Sequence, residues 1–184
     1  MTDTLTNLAT DDLLLLALTD DPDGPTLAIR TLLPGTPAQI WPWLVEPDRL
    51  HLWSPSVPNR VLDSVGPATA WESPDSETVD GEVISLDPPR ELVQRWASSL
   101  LRWTIAAASE DNGDASVLVL EHKLEPSNAD QASMMAAGWH LCLAVLYSHL
   151  DGHPVDRVVG EDALLHGWSE LNDRYARLLE AGPH

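Results

Sequence analysis

The sequence predicts an α+β fold in which antiparallel strands curve around one long, late helix, and two observations carry that prediction. Between residues 26 and 124, short apolar runs are separated by Pro, Gly, Asp and Asn turns, the pattern of consecutive strands. From 129 to 151 the period changes. Met135, Trp139, Cys142, Leu146 and Leu150 recur every three or four residues and share one helical face. A helix with so broad an apolar face needs a curved partner, and the strands before it supply one. That wrap tends to enclose a cavity, where function is expected.

Residues 1–24 hold six Asp and no Lys or Arg, and read as an acidic N-terminal tail, with a short helix possible over Leu13 to Leu18 behind Asp11 or Asp12. Thr26 to Leu33 alternates and is bounded by prolines, which gives a first strand. Thr36-Pro37-Ala38-Gln39 supplies an N-cap, a proline in the first turn and a capping-box Gln, so a short helix starts there. Pro47-Asp48-Arg49-Leu50 opens a second one, ending near Trp53. Six strands are expected next: Arg60 to Val65, Ala68 to Ser73, Thr78 to Leu86, Glu91 to Ala97, Leu101 to Ala107 and Ser116 to Leu124. Asp87-Pro88-Pro89-Arg90 and Glu110-Asp111-Asn112-Gly113-Asp114 are turns, the second a hairpin by its Asn-Gly. Alternation in the last strand puts Leu118, Leu120, His122 and Leu124 on one face, the inner one, and Glu121 on the other. The long helix, about 129–151, has Asn128 or Asp130 as its cap and stops at Gly152. An appended helix, about 161–180, carries Leu164, Trp168, Leu171, Tyr175 and Leu178 on one stripe. Glycines are placed at turns.

The 184 residues make one further domain after the tail, 25–184, large enough to bury a core without staples. A formal net charge of −19 repels phosphate backbones and anionic lipid surfaces, so neither a nucleic acid nor a membrane is the expected partner. The apolar run Leu13 to Leu18 is too short to span a bilayer and follows acids rather than a basic segment. The single cysteine, Cys142, rules out an internal disulfide framework, and the cytoplasm is the expected compartment. The chain has no Phe, two Tyr and eight Trp. Those indoles either line a pocket or take the place of Phe in the core.

Several segments, in order, resemble the START-like (SRPBCC) superfamily with its helix-grip fold, and within it the branch of heat-shock-protein ATPase activator homologues. They are Thr36-Pro37-Ala38-Gln39-Ile40-Trp41, Asp48-Arg49-Leu50 with Trp53, Gly81-Glu82-Val83, Asp87-Pro88-Pro89-Arg90-Glu91-Leu92-Val93 with Trp96, and Gly138-Trp139 with Leu143, Leu146 and His149-Leu150-Asp151-Gly152. The resemblance spans about residues 26–152. It implies a curved sheet of about six to seven strands gripping the long helix, with a pocket between sheet, long helix and the two short helices. Relatives in the superfamily include lipid carriers, polyketide cyclases and a co-chaperone domain, so fold alone does not choose an activity.

The pocket so implied takes its candidate lining from Trp41, Trp53, Trp71, Trp96, Trp103, Leu120, His122, Met135, Trp139, His140 and Cys142. Trp139 is the expected floor and His140 lies at the edge of the same face. A pocket histidine would suit acid–base chemistry; set against that is a histidine merely satisfied by a backbone carbonyl. Arg95 and Arg102 either meet a ligand or lie on the outer face, and Arg95 is out of phase with Trp96. Glu72 and Glu121 are weaker candidates for a buried charge pair. Cys142 reads as an apolar filler rather than a nucleophile. His149 and His153 straddle the helix end and His140 stands nine residues from His149, so no metal site is expected. Phosphate loops, nucleophile elbows and deaminase motifs are absent, and no cofactor is implied.

The leading expectation is a module that holds a small apolar or amphipathic molecule. The alternatives are a polyketide cyclase/aromatase-like enzyme and a co-chaperone-like module that binds a heat-shock ATPase. A protein partner or a homodimer is compatible with each.

Overall fold

The computed structural model describes residues 14–109 and 113–181. Among these described residues, nine strands and four α-helices follow one another as β1 (Leu14–Asp21), β2 (Gly24–Pro34), α1 (Pro37–Val45), α2 (Pro47–Leu50), β3 (Val57–Pro58), β4 (Thr69–Trp71), β5 (Val79–Asp80), β6 (Val83–Asp87), β7 (Glu91–Trp96), β8 (Ser99–Ala107), β9 (Ala115–Lys123), α3 (Ala132–Leu150) and α4 (Trp168–Ala181). Six strands form one antiparallel sheet in the order β1-β2-β9-β8-β7-β6. The sheet wraps α3, and α4 packs on the far side of α3. This is the helix-grip arrangement.

Register sets what the sheet offers α3. His122 of β9 stands between Leu27 and Leu101, Leu120 between Ile29 and Trp103, and Leu118 between Thr31 and Ile105. All nine are buried. A slip of one residue would turn that layer to solvent, so its burial fixes the pairing. The opposite face carries ion pairs: Arg102 lies 2.6 Å from Glu91 and 3.7 Å from Glu121, and Arg95 3.4 Å from Glu82. Arg95 and Arg102 therefore face outward, as does Glu121.

The start of α1 is capped as the sequence predicts. Thr36 Oγ1 accepts from the Gln39 amide at 3.4 Å, and Gln39 Oε1 accepts from the Thr36 amide at 2.8 Å.

Five expectations are corrected. Leu14–Asp21 is a strand paired along its length with β2, not a tail or a helix. A continuous leucine run fits either element by periodicity alone, and the neighbouring edge of β2 decides it. Residues 1–13, and the capping role given to Asp11 or Asp12, lie outside the described residues, as does part of the 110–114 turn. Arg60 to Val65 forms no strand. The Arg60 guanidinium holds it as a loop by donating to the carbonyls of Val61, Ser64, Gly66 and Pro67. Residues 57–80 supply β3, β4 and β5, a separate three-stranded sheet. The long helix begins at Ala132, after a 3-10 turn over Pro126–Gln131, and its N-cap Gln131 makes no side-chain cap. Finally, the appended helix is broken. A 3-10 turn runs over Gly160–His166, Gly167 adopts φ +82°, and α4 follows. Left-handed backbone of that kind suits glycine and ends the first segment.

Candidate functional site

Beneath α3 four indoles stand edge to face in series. Ring centroids lie 5.9 Å apart for Trp53 and Trp103, 5.4 Å for Trp103 and Trp139, and 5.4 Å for Trp139 and Trp96. This arrangement sets the positive ring edge against the negative face. Trp53 Nε1–H donates to the Trp43 carbonyl at 3.0 Å. Trp139 Nε1–H donates to His122 Nδ1 at 3.1 Å. Much of the space expected between sheet and helix is thus occupied by side chains.

Open volume lies at the flank of this cluster. A crevice of about 150 Å³ runs between the first half of α3 and the connector that returns to α4, with Trp96 also in its lining. Met134, Met135, Gly138, Trp139, Leu141 and Cys142 of α3 form one wall. Val158, Val159, Gly160, Ala163 and Trp168 form the other, with Pro55 and Glu72 at the margin. A wider depression of about 520 Å³ is lined by Asp23, Lys123, Glu125 and Ser127 among others, and presents charge rather than an apolar wall.

The structure brings Trp96, Met135, Trp139 and Cys142 together on the crevice, with Trp53, Trp103, Leu120 and His122 packed behind. It sets the remaining candidates apart. Trp41 is half-buried against the core from α1. Trp71 sits on the small sheet with its ring 6.0 Å from His51. His140 does not share the Trp139 face, because its Nδ1 pairs with the Tyr175 hydroxyl of α4 at 2.5 Å. His149 leans on Trp43 at 5.3 Å, and His153 is exposed beside Asp151. Glu72 is exposed. Among the described residues no three of His, Cys, Asp and Glu stand close enough to share a metal ion.

Electrostatics separate these groups further. Burial pushes His122 down to about 4, and burial together with nearby Arg174 does the same to His140. Both rings are therefore neutral at pH 7. Because an indole N–H only donates, His122 Nδ1 must be the unprotonated nitrogen, and its hydrogen sits on Nε2. That Nε2 is buried and has no partner. Burial pushes the Cys142 thiol up to about 12, although Arg157 opposes the shift. It stays a thiol at any ordinary pH.

Sequence reasoning missed the outer wall, since a connector carries no period, and it missed Gly138. That glycine lies inside α3 rather than at a turn, and a Cβ built on it would meet nothing within 4 Å. Its position in the middle of an apolar helical run was the available signal.

Residues 34–151, well over half the chain, match the model of the family described as Activator of Hsp90 ATPase homolog 1-like protein. The chain belongs to that family. No curated protein matches it. A conserved protein of unknown function from Enterococcus faecalis, EF2215, is 14% identical and superposes with a TM-score of 0.71 over 98% of this chain and 97% of its own. The solution structure of CalU16 from Micromonospora echinospora gives 17%, 0.69, 95% and 100%. DynU16, a protein of the dynemicin biosynthetic locus, gives 16% and 0.61 over 74% of this chain and 51% of its own. At such identities the likeness is one of fold. In this member of the Activator of Hsp90 ATPase homolog 1-like family, the α3 wall of the crevice lies inside the matched span and the 158–168 wall lies beyond it. No helix among the described residues is long and apolar enough to cross a membrane.

Proposed function

We propose that this protein is a binding module whose flank crevice holds a small apolar molecule. Gly138 carries the reading. A glycine inside a helix is about 0.5–1 kcal/mol less favourable than alanine. Nothing is packed against it that an alanine methyl would disturb. Gly138 lines the crevice, and the missing side chain leaves that volume free. An apolar cavity of about 150 Å³ suits a molecule of about benzene size. The Met134, Met135 and three Trp contacts give it polarizable walls that adapt to shape.

Binding is favoured over a cyclase-type reaction by the titration of the groups nearby. Acid–base catalysis works best near the operating pH. His122 at about 4 and Cys142 at about 12 both lie far from neutrality. The test is a titration of the full chain with small aromatic hydrocarbons, read by Trp fluorescence and melting temperature. Saturable binding that Gly138→Leu abolishes, with the fold intact, supports the module. Absence of binding across the series removes it.

A further inference from the structure

Five buried side-chain atoms among the described residues lack a hydrogen-bond partner, and His122 Nε2 is the one whose ring stacks on crevice-lining side chains. The His122 ring lies 5.6 Å from that of Trp96 and 6.2 Å from that of Trp139, and both indoles line the crevice. His122 itself is 1% exposed. An N–H donor left unmade in such surroundings is unfavourable, because water no longer satisfies it. It is also a donor of fixed identity, since Trp139 occupies Nδ1.

Of the two crevice-lining indoles beside His122, Trp96 is the nearer, at 5.6 Å against 6.2 Å for Trp139. Trp96 is the last residue of β7, at the tip of the tight β7–β8 hairpin, where it pairs with Ser99 across Ala97 and Ser98. It is half-buried, unlike Trp53, Trp103 and Trp139. Among the four indoles of the series it is the one that solvent reaches.

We propose that Trp96 is a movable cover, and that the crevice takes a flat aromatic ligand bearing one acceptor oxygen, which receives the His122 Nε2–H. This rests on the crevice reading above. The aromatic body replaces Trp96 as the edge-to-face neighbour of Trp139, and the carbonyl or ether oxygen gives His122 its missing partner. Trp139 acts as the positioning residue, holding the imidazole in the tautomer that donates. A ligand without the oxygen fills the same volume and leaves the donor unmade, which makes His122 the determinant of specificity.

Acetophenone and isopropylbenzene test this, being nearly equal in shape and differing by the carbonyl. With the full wild-type chain at pH 7, acetophenone is expected to bind at least about fivefold more tightly. The His122 Nε2–H proton resonance is expected to move downfield with acetophenone, as a new hydrogen bond requires, and to show no downfield move with isopropylbenzene, which displaces the same ring without supplying an acceptor. Trp96→Ala is expected to speed acetophenone association while the preference remains. Equal affinities with no downfield move overturn the inference and leave the crevice reading standing. An unchanged association rate in Trp96→Ala overturns the cover. If neither molecule binds, both readings fall.

Discussion

The two sides of α3 solve the same problem differently. Trp139 and His140 are neighbours in sequence and are both about 2% exposed or less, yet Trp139 faces the sheet and His140 faces α4. On the sheet side, an indole donates to His122, so the imidazole has a single tautomer and a surplus N–H. On the α4 side, the partner is the Tyr175 hydroxyl, which both donates and accepts, so either nitrogen of His140 can carry the proton. Burial also pushes the Tyr175 phenol up to about 12, which keeps that partner neutral. One side fixes a donor beside open volume, and the other closes a docking contact. The lesson is that equal burial and equal titration do not make two histidines equivalent, because the partner decides what each has left to offer.

The largest expected effect is on the sheet side. Trp139→Ala removes the ring between Trp96 and Trp103 and orphans His122 Nδ1, and should destabilise the fold by about 3–5 kcal/mol in urea unfolding. A loss below about 1 kcal/mol would mean that the indole series is not a packed unit.

Acidification should strike both sides together. Each histidine titrates at about 4 when folded and at 6.5 in its model state, so between these values the unfolded chain binds more protons. Stability is full above about pH 6.5 and falls as pH drops toward about 4, by about 3 kcal/mol per histidine. His140→Phe should flatten this part of the stability profile by about half. An unaltered slope would assign the acid sensitivity to other groups.

Tyr175→Phe separates the two sides more finely. It removes one hydroxyl and leaves His140 Nδ1 without its partner, with an expected loss of about 1–2 kcal/mol. The His122 imidazole resonances should not move, and a shift there would show that the two sides are coupled. Arg102→Ala, on the outer sheet face, sets the baseline. Its ion pairs with Glu91 and Glu121 are half-exposed, so the loss should stay under about 1 kcal/mol.

Parts of this were legible in the sequence because they follow a short period. Alternation turned His122 inward and Glu121 outward, and set Arg95 out of phase with Trp96. The Thr36–Gln39 box marked the start of α1. What escaped depends on contacts distant in the chain. His140 meets Tyr175 across 35 residues, and only the docking of α4 decides which side of α3 it occupies. The 60–65 loop is held by five-donor chemistry that a propensity scale reads as strand. The leucines of β1 needed β2 beside them. The crevice needed both its walls, and one of them is a connector without periodicity.

The four indoles also make an optical instrument of the core. Aromatic rings held at fixed mutual angles give rise to near-ultraviolet circular dichroism, a signal lost once packing loosens. With 5.4 Å between successive rings from Trp103 to Trp96, their transitions couple and the spectrum belongs to the array rather than to any one ring. A turn of Trp96 alone would rewrite the signal of its neighbours. If a ligand turns Trp96 as proposed, occupancy of the flank crevice is transcribed into chirality, readable without a label.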